Sequence, residues 1–475
     1  MRRFIPTILL VLSTAFIFTA CLGDDTETSY YSDTAISSFK LSYANRHIHT
    51  LSSKDVDSVY SSELSSASTY SFYIDQSSRL IYNQDSLPIW TDPAKILCTI
   101  GSKNSGTIVL KSLKSDSLGY YSSTDTIDFS QPREFRVYAN DGSAYRKYTV
   151  KVNIHQEQAD SFAWHRMNDN SAIAGLVGMK AVQLGDNILV FGNDGSKTVL
   201  YSTAATDGNT WKQISTSVSL AANAYCNVVK KGDKLYTLSN GNILATTDGV
   251  QWTTIATATG IKALAASSTS ALYALSDANA LMKSTDNGVT WSAEKLDADA
   301  KYLPTANVNY VTYPQASNDS VDRVMLVGNR DVSVYPSDTT AVVWNKVEEY
   351  SKGSDNNTWN YYLKAEDNKY KYLPMLNNLS VVPYDNGMLA FGGEGLGKSS
   401  TKAFKQIYKS LDMGITWLND TIYKYPTNFS SSTSSFAVVN DSSNVIWLIC
   451  GKSGQIWRGR LNRLGWKEEK TAFVK

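Results

Sequence analysis

The chain lacks a dominant charge: Lys and Arg total 45 against 44 Asp and Glu in 475 residues. No polybasic field therefore recommends a nucleic acid as partner. Proline is scarce at 10, so few segments are barred from strands, and histidine is scarcer still at 4. His47 and His49 share one face of a strand-like run and would supply two ligands at most, so a solvated strand end is expected there. Cysteine is nearly missing. Beyond Cys21 there remain Cys98, Cys226 and Cys450, each in an apolar stretch and odd in number. Buried free thiols are expected, because a disulfide cannot use all three. Neither CxxC nor a closely spaced Cys/His set occurs, so no metal and no cofactor is expected. Also missing are G-x-S-x-G, H-E-x-x-H and Walker patterns. Beyond the first 20 residues, no run reaches the roughly 18 apolar residues of a membrane span.

What the chain has in excess is tyrosine, 29 residues, beside 11 tryptophans. With 42% hydrophobic and 19% charged residues, this is a folding composition suited to strands and short turns rather than helices. The amino terminus is an address. Met1-Arg2-Arg3 is basic, Phe4 to Ala20 is apolar or small, and Phe18-Thr19-Ala20-Cys21 leads into Leu22-Gly23-Asp24-Asp25-Thr26-Glu27. Residues 1–20 read as a secretory signal. Cys21 behind Thr-Ala resembles the lipobox of bacterial lipoproteins, and the acidic run resembles the surface-export signal of Bacteroidota lipoproteins. The resemblance implies a lipidated Cys21, a flexible tether over 21–34 and a lipid anchor in the outer membrane, exposed on the cell surface. Ordinary secretion is the alternative.

From Ala35 the pattern turns strand-like. Its clearest element is the hairpin Phe135-Arg136-Val137-Tyr138, turn Asn140-Asp141-Gly142-Ser143, and Tyr145 to Ile154. Alternation on both arms puts one face into a core. Residues 35–157 are predicted as a small β-sandwich. The segment resembles the immunoglobulin-like or cadherin-like domains near the start of many such lipoproteins, which usually act as spacers.

Residues 158–475 carry an internal repeat of an apolar strand, a turn, a second strand, a tight turn and a Trp. The strands begin at Ile188, Leu235, Leu272, Val324, Met388 and Val445, and the tryptophans are Trp211, Trp252, Trp291, Trp344, Trp417 and Trp466. Ser284-Thr285-Asp286-Asn287-Gly288-Val289-Thr290-Trp291 and Ser410-Leu411-Asp412-Met413-Gly414-Ile415-Thr416-Trp417 both read S-x-D-x-G-x-T-W, with degenerate copies ending at Trp211 and Trp252. This motif resembles the Asp-box of sialidase-type β-propellers, in which it is a structural staple. An all-β protein is expected: the sandwich, then a propeller of six blades. The segment around Trp164 leaves seven possible, or closes the ring against the last blade.

Fold does not dictate function. A sialidase holds its substrate carboxylate with three Arg from different blades. Here the propeller has Arg166, Arg323, Arg330, Arg458, Arg460 and Arg463, three of them in the last blade, and no Arg-Ile-Pro element. That speaks against sialidase activity. A pair of carboxylates in the funnel would instead make a glycoside hydrolase or lyase, with Glu394 as a candidate or merely part of a blade connection. The region from Trp344 to Trp417 is long for one blade and contains Trp359, Tyr361, Tyr362, Tyr370 and Tyr372. These form either an aromatic shelf for a ligand or an extra strand with its rings packed inward. Taken whole, the chain resembles an uncharacterised family of Bacteroidota surface lipoproteins commonly found with glycan-uptake machinery. That implies a non-enzymatic binding or scaffold role toward a glycan or a surface protein. A structural envelope subunit is a third reading.

Overall fold

The structure is a computed structural model whose described residues are 31–51, 57–315, 318–350, 357–362 and 371–466. The signal segment, Cys21, most of the tether and Tyr370 lie outside them. The chain divides after Gln158, and the second compact unit runs Ala159–Trp466. Among the described residues no helix is long and apolar enough to cross a membrane.

The first unit is built of β layers. A six-stranded sheet contains Phe72–Asp75, Leu80–Asn83, Tyr145–Lys151, Arg133–Tyr138, Ile108–Lys111 and Leu118–Tyr120, in that spatial order. Ile36–Tyr43 pairs with Leu97–Ser102 in a separate sheet. The hairpin lies where the alternation put it, with Tyr145 opposite Tyr138 and Asp141 Oδ1 accepting the Ser143 N–H at 2.8 Å. Its alternate residues Phe135, Val137, Tyr148 and Val150 join Ile36, Phe39, Leu41 and Cys98 in one core. Phe135 is fully buried, worth about 1.5–3 kcal/mol of apolar transfer. His47 and His49 sit on the exposed strand Asn45–Leu51, beside Ser61 and Asp92 and beside Asp57 respectively.

The second unit is a propeller of six antiparallel sheets among the described residues. The inner strands of blades I to VI are Gly178–Leu184, Val229–Lys231, Ile261–Ser267, Ala306–Gln315, Ser380–Tyr384 and Phe436–Asn440. The strand bearing Trp164, Phe162–Arg166, pairs with Ile456–Leu461 as the outermost strand of blade VI. The two ends of the unit therefore share one sheet, and the open sixth-or-seventh question resolves at six. Second strands such as Leu272–Ser276, Gly387–Phe391 and Ile446–Cys450 are buried throughout. They are sandwiched between neighbouring blades, which explains their continuous apolar runs.

The S-x-D-x-G-x-T-W turns link the third and fourth strands of blades III and V. Asp286 Oδ1 accepts the Ser284 hydroxyl at 2.7 Å and the Val289 and Thr290 N–H groups at 3.1 and 2.9 Å; Oδ2 accepts the Thr290 hydroxyl at 2.6 Å. Asp412 repeats this with Ser410 and Thr416. Gly288 and Gly414 have φ of +99° and +86°, values that cost a residue with a side chain. Their carbonyls accept the indole N–H of Trp291 and Trp417, each at 3.1 Å.

Two tryptophans stand elsewhere than the repeat placed them. Trp344 belongs to the third strand of blade IV, Val342–Glu349, whereas Trp359 directly precedes the fourth strand, Asn360–Tyr361. Trp359 thus occupies the position that Trp252, Trp291 and Trp417 hold in their blades. Its N–H donates to Lys295 in the preceding inter-blade connection, as that of Trp417 donates to Lys371. Trp466 follows the short 3-10 helix Asn462–Gly465, after the last strand. Counting tryptophans along the chain could not separate a third-strand Trp from one at the turn.

Candidate ligand-binding channel

Six inner strands converging on one axis leave a cavity of about 820 Å³ lined from every blade. That is the size of a small-molecule or short-oligomer site. Much of its polar lining is already committed to holding the ring. Asn309 of blade IV donates to the Leu379 carbonyl at 2.8 Å and accepts the Val381 N–H at 3.1 Å. Asn378 donates to Phe436 at 2.7 Å, and Gln183 exchanges bonds with Ser442 at 2.8 and 3.0 Å across the VI–I junction. Tyr310 reaches from blade IV to blade II, where its hydroxyl donates to the Lys230 carbonyl at 3.0 Å.

The charge in the lining is of one sign. Lys180, Lys230, Lys231 and Lys262 line the cavity, and no Asp, Glu or Arg does so among the described residues. Lys231 is tied to the Ser270 carbonyl and Asn287 at 3.2 and 2.8 Å. The ammonium groups of Lys180, Lys230 and Lys262 make no hydrogen bond or ion pair among the described residues, although Lys262 is solvent-exposed and near enough to Asp331 to help the Ser333 hydroxyl hold that carboxyl below its ordinary value. All three stand on the inner strands of blades I, II and III. The wall from blades IV to VI presents amides and hydroxyls, including Asn307, Asn378, Ser380 and Asn440. Burial pushes the Lys180 ammonium down to about 8, with Cys226 opposing the shift. Lysines 230 and 231 are displaced downward for the same reason.

Beside Lys180 stands the 3-10 helix Ala224–Asn227, with Tyr225 and Cys226 in the lining. Cys226 departs from the expectation of a buried thiol: it is exposed, whereas Cys98 and Cys450 are buried. Its apolar neighbour Ala224 is what turns inward, fully buried. The channel walls still desolvate the Cys226 thiol and push it up, with Tyr225 and Lys180 opposing.

The residues singled out from sequence lie away from this cavity. Trp359 is fully buried, edge-on to Tyr273 with centroids 5.2 Å apart, and donates to Glu294 at 2.9 Å. Tyr361 stacks on Tyr302 at 4.9 Å. Tyr362 packs against the core shared by blades IV and V, and Tyr372 is half-buried. The inward-packed alternative describes Trp359, Tyr361 and Tyr362. Ser284, Asp286, Gly288, Trp291, Ser410, Asp412, Gly414 and Trp417 are engaged within their turns. Glu394 is exposed on a blade V connection, accepting from Asn377 and Thr433. None of the six propeller arginines lines the cavity, and four are bound elsewhere: Arg330 to Asp338, Arg463 to Asp160 and Asp385, Arg166 to Asp169, and Arg458 to backbone carbonyls beside Trp447.

Two family profiles match the chain: the DUF6242 beta propeller domain over residues 158–469 and the DUF6242 N-terminal domain over residues 39–152. No curated protein matches. Among solved structures, YCF48 from Cyanidioschyzon merolae is 14% identical over 63% of this chain and 99% of its own, with a TM-score of 0.33. The Trypanosoma rangeli sialidase in complex with the inhibitor DANA is 11% identical, with a TM-score of 0.35. The match covers 68% of this chain and 57% of that one.

Proposed function

The chain belongs to the DUF6242 family, and from that premise we propose that it is a surface lipoprotein whose propeller binds a ligand in its central channel. Acyl chains on Cys21 hold it to the outer membrane, residues 21–34 form the tether, and an immunoglobulin-like first domain serves as spacer. The Asp–Gly–Trp turns are Asp boxes and act as staples. One observation carries the reading: a cavity of about 820 Å³ lined by all six blades, with lysines that lack acceptors and no carboxylate among its described residues. The two-carboxylate mechanism of most glycoside hydrolases needs carboxyl groups about 5–10 Å apart across the bond to be cleaved, and the described residues of this lining include none. With no arginine among the described residues of the lining, a sialic acid carboxylate would likewise lack its usual partners there.

The test uses soluble chain from Asp24 onward on a broad glycan array, with each spot assayed afterwards for cleavage. Retention on intact glycan is the expected result. Release of sugar from the spots overturns the binding role in favour of the hydrolase or lyase. Retention by neither route, with capture of a surface protein instead, moves the ligand to the protein class. In cells, Cys21→Ala should shift the protein from the membrane fraction to the soluble one.

A further inference from the structure

Lys180, Lys230 and Lys262 come from consecutive blades, so their positive charge is gathered on one side of the channel, while the opposite side is neutral and rich in amides and hydroxyls. An ammonium group is a donor with no acceptor capacity. Lys180 and Lys230 are desolvated in the channel without an acceptor among the described residues, and so call for a ligand that brings anionic oxygen, while Lys262, exposed and near Asp331, adds charge on the same side. The IV–VI wall asks for something different. There Asn307, Asn378 and Asn440 each spend one amide bond on Asn329, Phe436 and Pro383, and their remaining amide capacity, with the Ser380 hydroxyl, is what can meet hydroxyl groups. A ligand matching both walls is acidic along one edge and hydroxylated along the other, and must be short enough for about 820 Å³.

We propose that the channel binds an acidic oligosaccharide, its carboxylate or sulfate groups against Lys180, Lys230 and Lys262 and its hydroxyls against the amide wall of blades IV to VI. The inference rests on the channel being the binding site. Tyr225 and Cys226 beside Lys180 then stand at the rim of the bound sugar. The desolvation that lowers Lys180 is offset when an anion supplies an opposite charge beside it, so binding draws the proton more firmly onto that ammonium.

Calorimetric titration of the soluble chain at low salt tests this with four probes: a galacturonate tetramer, a sulfated chondroitin tetrasaccharide, neutral maltotetraose and tripolyphosphate. One or both acidic sugars should bind at least about tenfold more tightly than maltotetraose and tripolyphosphate, and more weakly as salt rises. Lys180→Met with Lys262→Met should remove about tenfold or more of that affinity. Lys212→Met, at an exposed outer-strand position, should not change it, and unchanged melting temperatures would show that the variants fold. A bound acidic sugar should also slow modification of Cys226 by a thiol reagent, whereas buried Cys98 and Cys450 stay unreactive.

Equal binding of maltotetraose with protection of Cys226 would overturn the acidic class while leaving the channel as the site. Equal binding of tripolyphosphate would reduce the site to an anion trap and overturn the saccharide. Binding that neither protects Cys226 nor responds to the lysine variants would remove the ligand from the channel and overturn both readings. No binding of either acidic sugar would overturn this proposal.

Discussion

Blade IV and its neighbours solve one packing problem with opposite chemistry. In blades I, II, III and V the glycine of the Asp–Gly–Trp turn lies against the preceding blade. A Cβ there would come within 2.9 Å of Trp447 at Gly208, 2.8 Å of Leu189 at Gly249, 3.2 Å of Ile243 at Gly288 and 2.9 Å of Val343 at Gly414. These close backbone-to-side-chain approaches, together with the positive φ of each residue, favour glycine there. Blade IV keeps the tryptophan but joins blade III through charge. Buried Lys346 pairs with Glu294, which also accepts the Trp359 indole N–H. Lys283 meets buried Glu348 at 2.7 Å, Ser270 donates to the same oxygen at 2.7 Å, and Asp322 accepts the Thr269 N–H at 2.7 Å. Asp322 Oδ1 and Glu348 Oε2 are buried and have no hydrogen-bond partner among the described residues. The tryptophan's place in the ring is thus independent of the Asp–Gly–Trp turn that presents it in blades I, II, III and V. The two kinds of junction should also fail differently, because an apolar contact loses only its own packing while a broken buried pair leaves a charge stranded.

The largest effect should come from breaking the ionic junction. Lys346→Met leaves Glu294 buried beside an apolar chain and should cost about 3–5 kcal/mol in denaturant unfolding. Adding Glu294→Gln, which keeps an acceptor for Trp359, should recover a substantial part; no recovery would show that Lys346 acts through packing alone. At the apolar junctions, Gly249→Ala and Gly414→Ala combine a left-handed backbone with a clash, and should each cost about 1–3 kcal/mol. A loss as large as that of Lys346→Met would erase the distinction between the junctions.

Smaller still is the carboxylate of a single turn. Asp286→Ala should cost about 1 kcal/mol. The Thr290 hydroxyl, with the Thr290 N–H, holds the Asp286 carboxyl down at about 2. Its folded value lies below the unfolded one near 4, so its contribution is complete above pH 4 and is lost as pH falls toward 2. Stability curves of the wild type and Asp286→Ala should therefore converge between about pH 4 and 2. A constant gap over that window would assign the turn's stability to the Ser284 and Gly288 bonds instead. The group is solvent-exposed, so the effect should shrink in high salt.

The same contrast explains what could be read from sequence. The Asp–Gly–Trp turns were legible because every partner lies within eight residues, as from Ser284 to Trp291. So was the hairpin at Asp141-Gly142, where alternation and turn chemistry agree. Blade IV was obscured because its contacts come from Glu294, Lys346 and Trp359, more than sixty residues apart at the extremes, leaving Trp344 to pass for the repeat tryptophan. The channel was obscured for a related reason. Nothing local marks a strand as innermost, and nothing in Val229-Lys230-Lys231 alone says that this short strand lines a channel. Cys226 followed its apolar neighbours Ala224 and Tyr225 into the wrong class, since a single turn of 3-10 helix carries it round to the lumen.

The most direct measurement is a crystal structure of the soluble chain grown with an acidic tetrasaccharide. The account predicts density in the central channel, with anionic groups within hydrogen-bonding reach of Lys180 and Lys262 and sugar hydroxyls facing blades IV to VI. An empty channel, with the sugar on the outer surface of blade IV, would contradict it.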